Sequence, residues 1–275
     1  KRRHYKIMKE NFFKLFKTTK PIIAMVHFPA LPGSPLYDSK LGLDYIVDSA
    51  EKDLAALQNA GVDAVMFGNE NDRPYEFNVN QVTTATMAYV IGSLKNKINV
   101  PFGVNVLFDY MSSIALAAST GAHFVREVFT GSYASDMGMW NTDAGKAMRY
   151  KNSLNRKDLL MFYNVSAEFA YSLDRRSVAE RSKSTVFSSI PDAILVSGQI
   201  TGELANLNDL KEVSSIIPET PVLVNTGVNI DNIETILKIS DGVIIGSSLK
   251  IDGNTWNSVD PRRASDFMQK VKKIR

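Results

Sequence analysis

The chain repeats one pattern along most of its length: a short apolar run, then a longer segment with helical period. The runs lie at residues 21–27, 64–68, 102–107, 123–128, 159–165, 193–196, 222–225 and 242–245. Apolar runs this short, alternating with helical segments, read as strands of a parallel sheet covered on both faces. Between the first two runs, Leu43, Ile46, Val47, Ala50, Leu54 and Leu57 fall on one helix face, and Gly61 offers a left-handed C-cap. A second helix is predicted over residues 79–94, and a third over 112–120, ending at Gly121. A closing helix carries Ala264, Phe267, Met268 and Val271 on one face. Eight strands with helices between them close best as a (β/α)8 TIM barrel of the ribulose-phosphate-binding type. An open, doubly wound sheet is the alternative and usually has fewer strands. The length of 275 residues suits one barrel. Residues 1–20 are expected to form an N-terminal extension with a short helix over 9–17, and residues 21–275 a single barrel. The spacing of Phe12 or Phe13 with Phe16 predicts that this helix lies across the barrel bottom.

Composition excludes several classes. With no cysteine there is no disulfide framework and no thiolate chemistry, which fits a reducing, cytoplasmic setting. The charge of +3, from 32 basic and 29 acidic residues spread along the chain, gives no reason to expect a nucleic-acid partner. The basic cluster Lys1-Arg2-Arg3-His4-Tyr5-Lys6 is not followed by an apolar stretch of signal-peptide length, and no run is long enough to span a bilayer. Residues 129–156 lack a clear period and contain Gly131, Gly138 and Gly145; Met137, Met139 and Trp140 are apolar for an exposed loop. A lid, or part of a homo-oligomer contact, is expected there.

In such a barrel the site lies at the C-terminal strand ends. After the seventh run stands Asn225-Thr226-Gly227, and after the eighth Gly246-Ser247-Ser248. Small residues at these two loops let backbone N–H groups approach an anion, and a short helix after strand eight would aim its positive end at it. A small phosphorylated ligand is expected there, with Gly202 after strand six adding an amide. The hydroxyls of Ser247 and Ser248 are read as further donors. Across the mouth, His27, Glu70, Asn105, Glu127 and Asn164 are the candidate catalytic groups, with Asn69, Asp109, Arg126 and Glu168 also at strand ends. Arg126 and Glu127 are adjacent in a strand, so only one can face the interior. The same acids are of the type that takes Mg2+, the one cofactor considered. No protein metal-site signature stands out, because His4, His27 and His123 are too scattered for zinc.

Several of these segments together resemble the BtpA/SgcQ family: residues 27–35 (His-Phe-Pro-Ala-Leu-Pro-Gly-Ser-Pro), Glu70-Asn71-Asp72-Arg73-Pro74, Asn105-Val106-Leu107, residues 121–126, Gly246-Ser247-Ser248-Leu249-Lys250 with Asp252-Gly253, and Val259-Asp260-Pro261. The similarity runs from about Lys20 to the C-terminus. It implies a phosphate-binding barrel. The name-giving member is linked to photosystem I biogenesis, and other members accompany sugar transport. One stretch departs. Where the family tends to read Asp-Val-x-Val-Lys-His, this chain has Asn164-Val165-Ser166-Ala167-Glu168-Phe169. Strand three likewise continues as Phe108-Asp109-Tyr110, where relatives often have Arg-Asn-Asp.

Three readings follow. The first is an enzyme acting on a phosphorylated sugar or similar metabolite. The second is a non-catalytic biogenesis or regulatory factor that keeps the phosphate site. The third is a barrel that meets a protein or membrane surface through Phe12, Phe13, Leu15 and Phe16.

Overall fold

A computed structural model describes residues 2–275, with side chains from residue 9 onward. The elements in chain order are α1 (Arg2–Phe16), β1 (Ile22–His27), α2 (Gly42–Ala60), β2 (Ala64–Gly68), α3 (Gln81–Leu94), β3 (Phe102–Asn105) and α4 (Tyr110–Thr120). Then come β4 (Phe124–Glu127), β5 (Ser132–Ser135), β6 (Gly138–Asn141), α5 (Ala144–Ser153), β7 (Leu160–Asn164), β8 (Ala170–Ser172) and α6 (Val178–Ser189). The chain ends with β9 (Ala193–Val196), α7 (Leu207–Ile216), β10 (Val222–Val224), α8 (Ile233–Ile239), β11 (Gly242–Ile245) and α9 (Pro261–Ile274). Eight of these strands close a parallel barrel in the order β1-β2-β3-β4-β7-β9-β10-β11. Closure is set where Ile22 pairs Val243 and Ile23 pairs Ile244.

Period-two alternation sorts each strand into two cores. Ile23, Met25, Ala64, Met66, Phe124, Phe162, Leu195, Leu223 and Ile244 fill the barrel interior. Their neighbours Ile22, Ala24, Val65, Phe67, Val104, Val125 and Met161 point outward, into the same core as Leu54 and Leu57 of α2 and Phe267 and Val271 of α9. Helices α2 and α4 stop where Gly61 and Gly121 take left-handed φ of 86° and 73°. A Cβ would strain that conformation.

Helix α1 packs on the barrel interior from the bottom. Phe12 and Phe16 are buried with the interior core. The Phe12 ring sits 5.6 Å from Phe162, and Phe16 sits 5.8 Å from Phe124. Lys9 fixes the helix outside through Asp241, at 3.0 Å. The apolar face that would meet a protein or membrane surface in the third reading is spent inside: Phe12 and Phe16 are buried, Phe13 and Leu15 partly so. Among the described residues no helix is long and apolar enough to cross a membrane.

Residues 129–156 are not structureless. They fold as the β5–β6 hairpin followed by α5, and β8 pairs with β5 to complete a three-stranded antiparallel sheet. Trp140, expected at an exposed position, is 2 % exposed, whereas Met139 is 59 % exposed. Trp140 stacks on Phe77 at 5.2 Å and meets Phe108 edge-on at 5.0 Å. The small sheet thereby shares a core with Leu107, Phe108, Val128 and Ala167, which follow the barrel strands β3, β4 and β7.

Candidate functional site

Two residues beyond the last apolar interior layer, the same strand phase brings His27, Gly68, Asn105, Arg126, Asn164, Ser197, Asn225 and Gly246 to the top of the barrel. The pair left open by sequence is resolved here. Arg126 takes the interior position, and Glu127 lies behind Asn105, both buried. The Arg126 guanidinium is held by two amides: Nη1 donates to Asn225 Oδ1 at 2.9 Å, and Nη2 donates to Asn105 Oδ1. Asn105 Nδ2 donates to Glu127 Oε1 at 2.7 Å, and Asn225 Nδ2 donates to Glu168 Oε1 at 3.3 Å and to Ser197 Oγ at 2.8 Å. Asn164 joins the far end of this network by donating to Ser197 Oγ at 3.0 Å.

Glu70 leaves the end of β2 and folds back over Gly68. Its Oε1 lies 3.3 Å from His27 Nε2 and 3.8 Å from Arg126 Nη2. Its Oε2 and His27 Nδ1 are buried without a hydrogen-bond partner. Burial pushes the Glu70 carboxyl up to about 7, with the Arg126 charge opposing. Burial likewise lifts Glu127 to about 8 against the N–H of Val128 and the Arg126 charge, and raises Glu168 against Arg126 and the Thr201 hydroxyl. His27 is held well below its usual range by burial, then by the charges of Lys250 and Arg126. The His27–Glu70 contact is therefore made by a neutral imidazole and is not an ion pair. Lys250 is spoken for: its ammonium is buried against Asp53 Oδ2 at 2.9 Å.

A cavity of about 680 Å³ opens above Arg126. His27, Glu70, Arg126 and Glu168 line it, together with Gly202, Gly227 and the turn Gly246-Ser247-Ser248. Ser247–Leu249 form a single 3-10 turn, the short helix expected after strand eight. The first N–H groups of such a turn have no acceptor within it. Gly227 lies so close to the preceding loop that a Cβ would sit 2.2 Å from Leu204 backbone atoms. The hydroxyls differ from expectation. Ser248 donates to Val228 O at 2.8 Å, tying the two loops together, and Ser247 pairs with Thr255 Oγ1. On the rim, Arg263 Nε donates to Ser248 O at 2.9 Å, which sets a guanidinium beside the turn.

Seven of the ten residues singled out by sequence thus border one cavity; Asn105, Glu127 and Asn164 stand in the layer behind it. Sequence reasoning left out of its principal set Arg126, Glu168, Asn225, Thr255 and Arg263, all of which line the cavity. The interior phase of Phe124 could have selected Arg126; nothing local marks Arg263, which arrives from the first turn of α9. Among the described residues no three His, Asp or Glu side chains gather as a metal site. A side groove beyond His27 is bordered by Tyr45, Asn71 and Trp256. The Arg73 guanidinium sits 3.6 Å from the Trp256 ring centre.

The sequence profile of the BtpA family matches residues 18–273. The sgc region protein SgcQ of Escherichia coli is 46% identical over 94% of this chain and 96% of its own length. The photosystem I biogenesis protein BtpA of Synechocystis is 32% identical over 94% of this chain and 90% of its own. Among solved structures, a tryptophan synthase of Mycobacterium tuberculosis overlays with a TM-score of 0.60 at 14% identity, over 96% of this chain and 97% of that one. A phosphoribosyl anthranilate isomerase of Thermus thermophilus overlays at 0.57 with 9% identity, over 93% and 100%. At such identities the overlays establish the barrel fold alone.

Proposed function

Since the chain belongs to the BtpA family, we propose, from its mouth geometry, that it is an enzyme acting on a small phosphorylated metabolite. The observation that carries this reading is the pairing, in one cavity, of an anion-suited rim with buried acid–base groups. The rim consists of Gly202, Gly227, the Gly246-Ser247-Ser248 turn and Arg263. Backbone N–H groups and one guanidinium are the donors a phosphate takes. The floor holds Glu70, Glu168 and Arg126, groups suited to moving protons and to stabilising developing negative charge. A carboxyl that burial raises toward neutral pH, as at Glu70, can both give and take a proton there.

Thermal-shift screening of triose, pentose and hexose phosphates, followed by calorimetric titration of the best compound, tests the reading. We expect a saturable stabilisation absent for the unphosphorylated sugars. Equal shifts with and without the phosphate would sink it. A second reading, a non-catalytic factor that keeps the phosphate site, draws on the name of the Synechocystis relative and on the departure at residues 164–169. Binding without turnover of any bound compound would favour it.

A further inference from the structure

We propose that Glu70 and Glu168 are the two halves of one acid–base pair, flanking Arg126, which moves a proton at the carbon beside the carbonyl of a phosphorylated sugar. This rests on the phosphate reading above and names its reaction. The two carboxyls approach Arg126 from opposite sides. Glu70 lies on the Nη2 side, at 3.8 Å. Glu168 lies on the Nη1 side, one amide away, through Asn225. An arginine keeps its proton under all ordinary conditions. One buried carboxylate balances that charge; a second would sit uncompensated in a poorly solvated site, so the pair retains one proton. The remaining groups facing them do not alter this count. Glu127, the third buried carboxyl near Arg126, stands behind Asn105 and is lifted by burial to about 8, so it stays protonated. His27 is neutral, Lys250 is paired with Asp53, the Tyr75 phenol donates to the Glu70 backbone carbonyl at 2.9 Å, and Thr201 donates to Glu168 Oε2 at 2.9 Å. One acid and one base are thus held ready around a fixed cation.

That inventory fits one kind of step. The ionised carboxylate takes the proton from the carbon next to the carbonyl. The C–H electron pair becomes the new C=C bond, and the carbonyl π pair moves to oxygen. Arg126 stabilises that oxygen, and the protonated partner supplies its proton. In the second half the first carboxyl, now protonated, returns its proton to the former carbonyl carbon, while its partner, now ionised, takes the proton of the neighbouring hydroxyl, whose C–O bond becomes the new carbonyl; the product is the isomer. Nothing is oxidised or reduced overall. Among the described residues no lysine lines the cavity, and the cations there are guanidiniums, unsuited to a Schiff base. Thr201, Asn225, Thr226, Asn229, Ser247 and Thr255 supply hydroxyls and amides around the cavity, as a polyol requires.

The test is solvent exchange. The full chain is incubated in D2O with triose, pentose and hexose phosphates; proton NMR follows the hydrogen beside the carbonyl, and phosphorus NMR follows binding. We expect deuterium at that carbon. Glu70→Gln and Glu168→Gln should each lower the rate on the order of 100-fold, the scale of a lost general acid or base, with inorganic phosphate still bound. Thr201→Val keeps both carboxyls but removes the hydroxyl on Glu168, and should move one limb of the pH–rate profile upward. Sugar phosphates that bind without exchange, or exchange that survives at full rate in Glu168→Gln, would overturn the pair while leaving the phosphate reading intact. No phosphorus-NMR response to any phosphorylated compound or to inorganic phosphate would remove both.

Discussion

Gly68 and Glu70 claim the same space: a Cβ on Gly68 would lie 2.6 Å from Glu70 Oε2. The missing side chain is what lets the carboxyl fold back onto the barrel axis beside His27 and Arg126. Gly68→Ala must therefore push the carboxyl away, and the yielding atoms are the tip of one side chain. We expect a modest loss of stability, about 1 kcal/mol, at the low end for overpacking, together with a marked loss of solvent exchange. Inorganic phosphate should bind as before. Urea denaturation and calorimetry check both. Full exchange activity in Gly68→Ala would mean that the position of Glu70 does not matter.

The phosphate subsite has its own pair of variants. A Cβ at Gly246 would lie 3.2 Å from His27 Cε1, so Gly246→Ala measures the effect of size and Gly246→Asp adds charge. Gly246→Asp should abolish phosphate binding beyond any loss in Gly246→Ala. Removing the rim guanidinium in Arg263→Ala should weaken it about tenfold, or about 1.4 kcal/mol. Unchanged calorimetric affinity in Gly246→Asp places the anion elsewhere.

Stability should fall as pH rises from about 6.5 to 8. Glu70 and Glu127 hold protons in the folded chain up to about 7 and about 8, against 4.5 when unfolded. In that interval the folded state binds more protons than the unfolded one, so unfolding becomes easier with increasing pH, by at most about 1.4 kcal/mol per unit for each group. Below 6.5, His27 and His123 act in the opposite sense, because burial lowers both and the unfolded chain takes the proton first. Glu127→Gln should flatten most of the decline. Urea midpoints that climb between pH 6.5 and 8 would contradict the assignment.

Phe12→Ala removes a fully buried ring that touches Phe16 and Phe162 at the barrel bottom. The cavity left there should cost about 3–5 kcal/mol. Phosphate affinity should be unaffected, since α1 lies at the opposite end from the mouth. A loss below 1 kcal/mol would show that α1 detaches without consequence for the barrel.

Much of this architecture was legible because buried strands and amphipathic helices carry strong periods. The runs at residues 64–68, 193–196 and 242–245 match β2, β9 and β11 residue for residue. The hairpin was not, because four-residue strands with polar faces carry almost no pattern, and β8 supplies only three residues from far along the chain. The site was half legible. Strand ends could be named, but which of Arg126 and Glu127 enters the barrel depends on the phase fixed by Phe124. That Glu70 reaches the axis depends on the empty volume at Gly68. Arg263 comes from another element altogether, and its Nε bond to Ser248 is a tertiary fact.

The chain's two tryptophans report from opposite environments. Trp140 is walled in by Phe77, Phe108 and Tyr133, while Trp256 is 45 % exposed beneath the Arg73 guanidinium. Buried and water-facing indoles emit at different wavelengths, so the red edge of the intrinsic fluorescence belongs to Trp256. Its neighbour Thr255 borders the cavity, which makes that emission a built-in optical gauge of the rim. A ligand seated against Ser247 and Thr255 should shift it, and the blue component from Trp140 serves as the internal reference, with no dye or label attached.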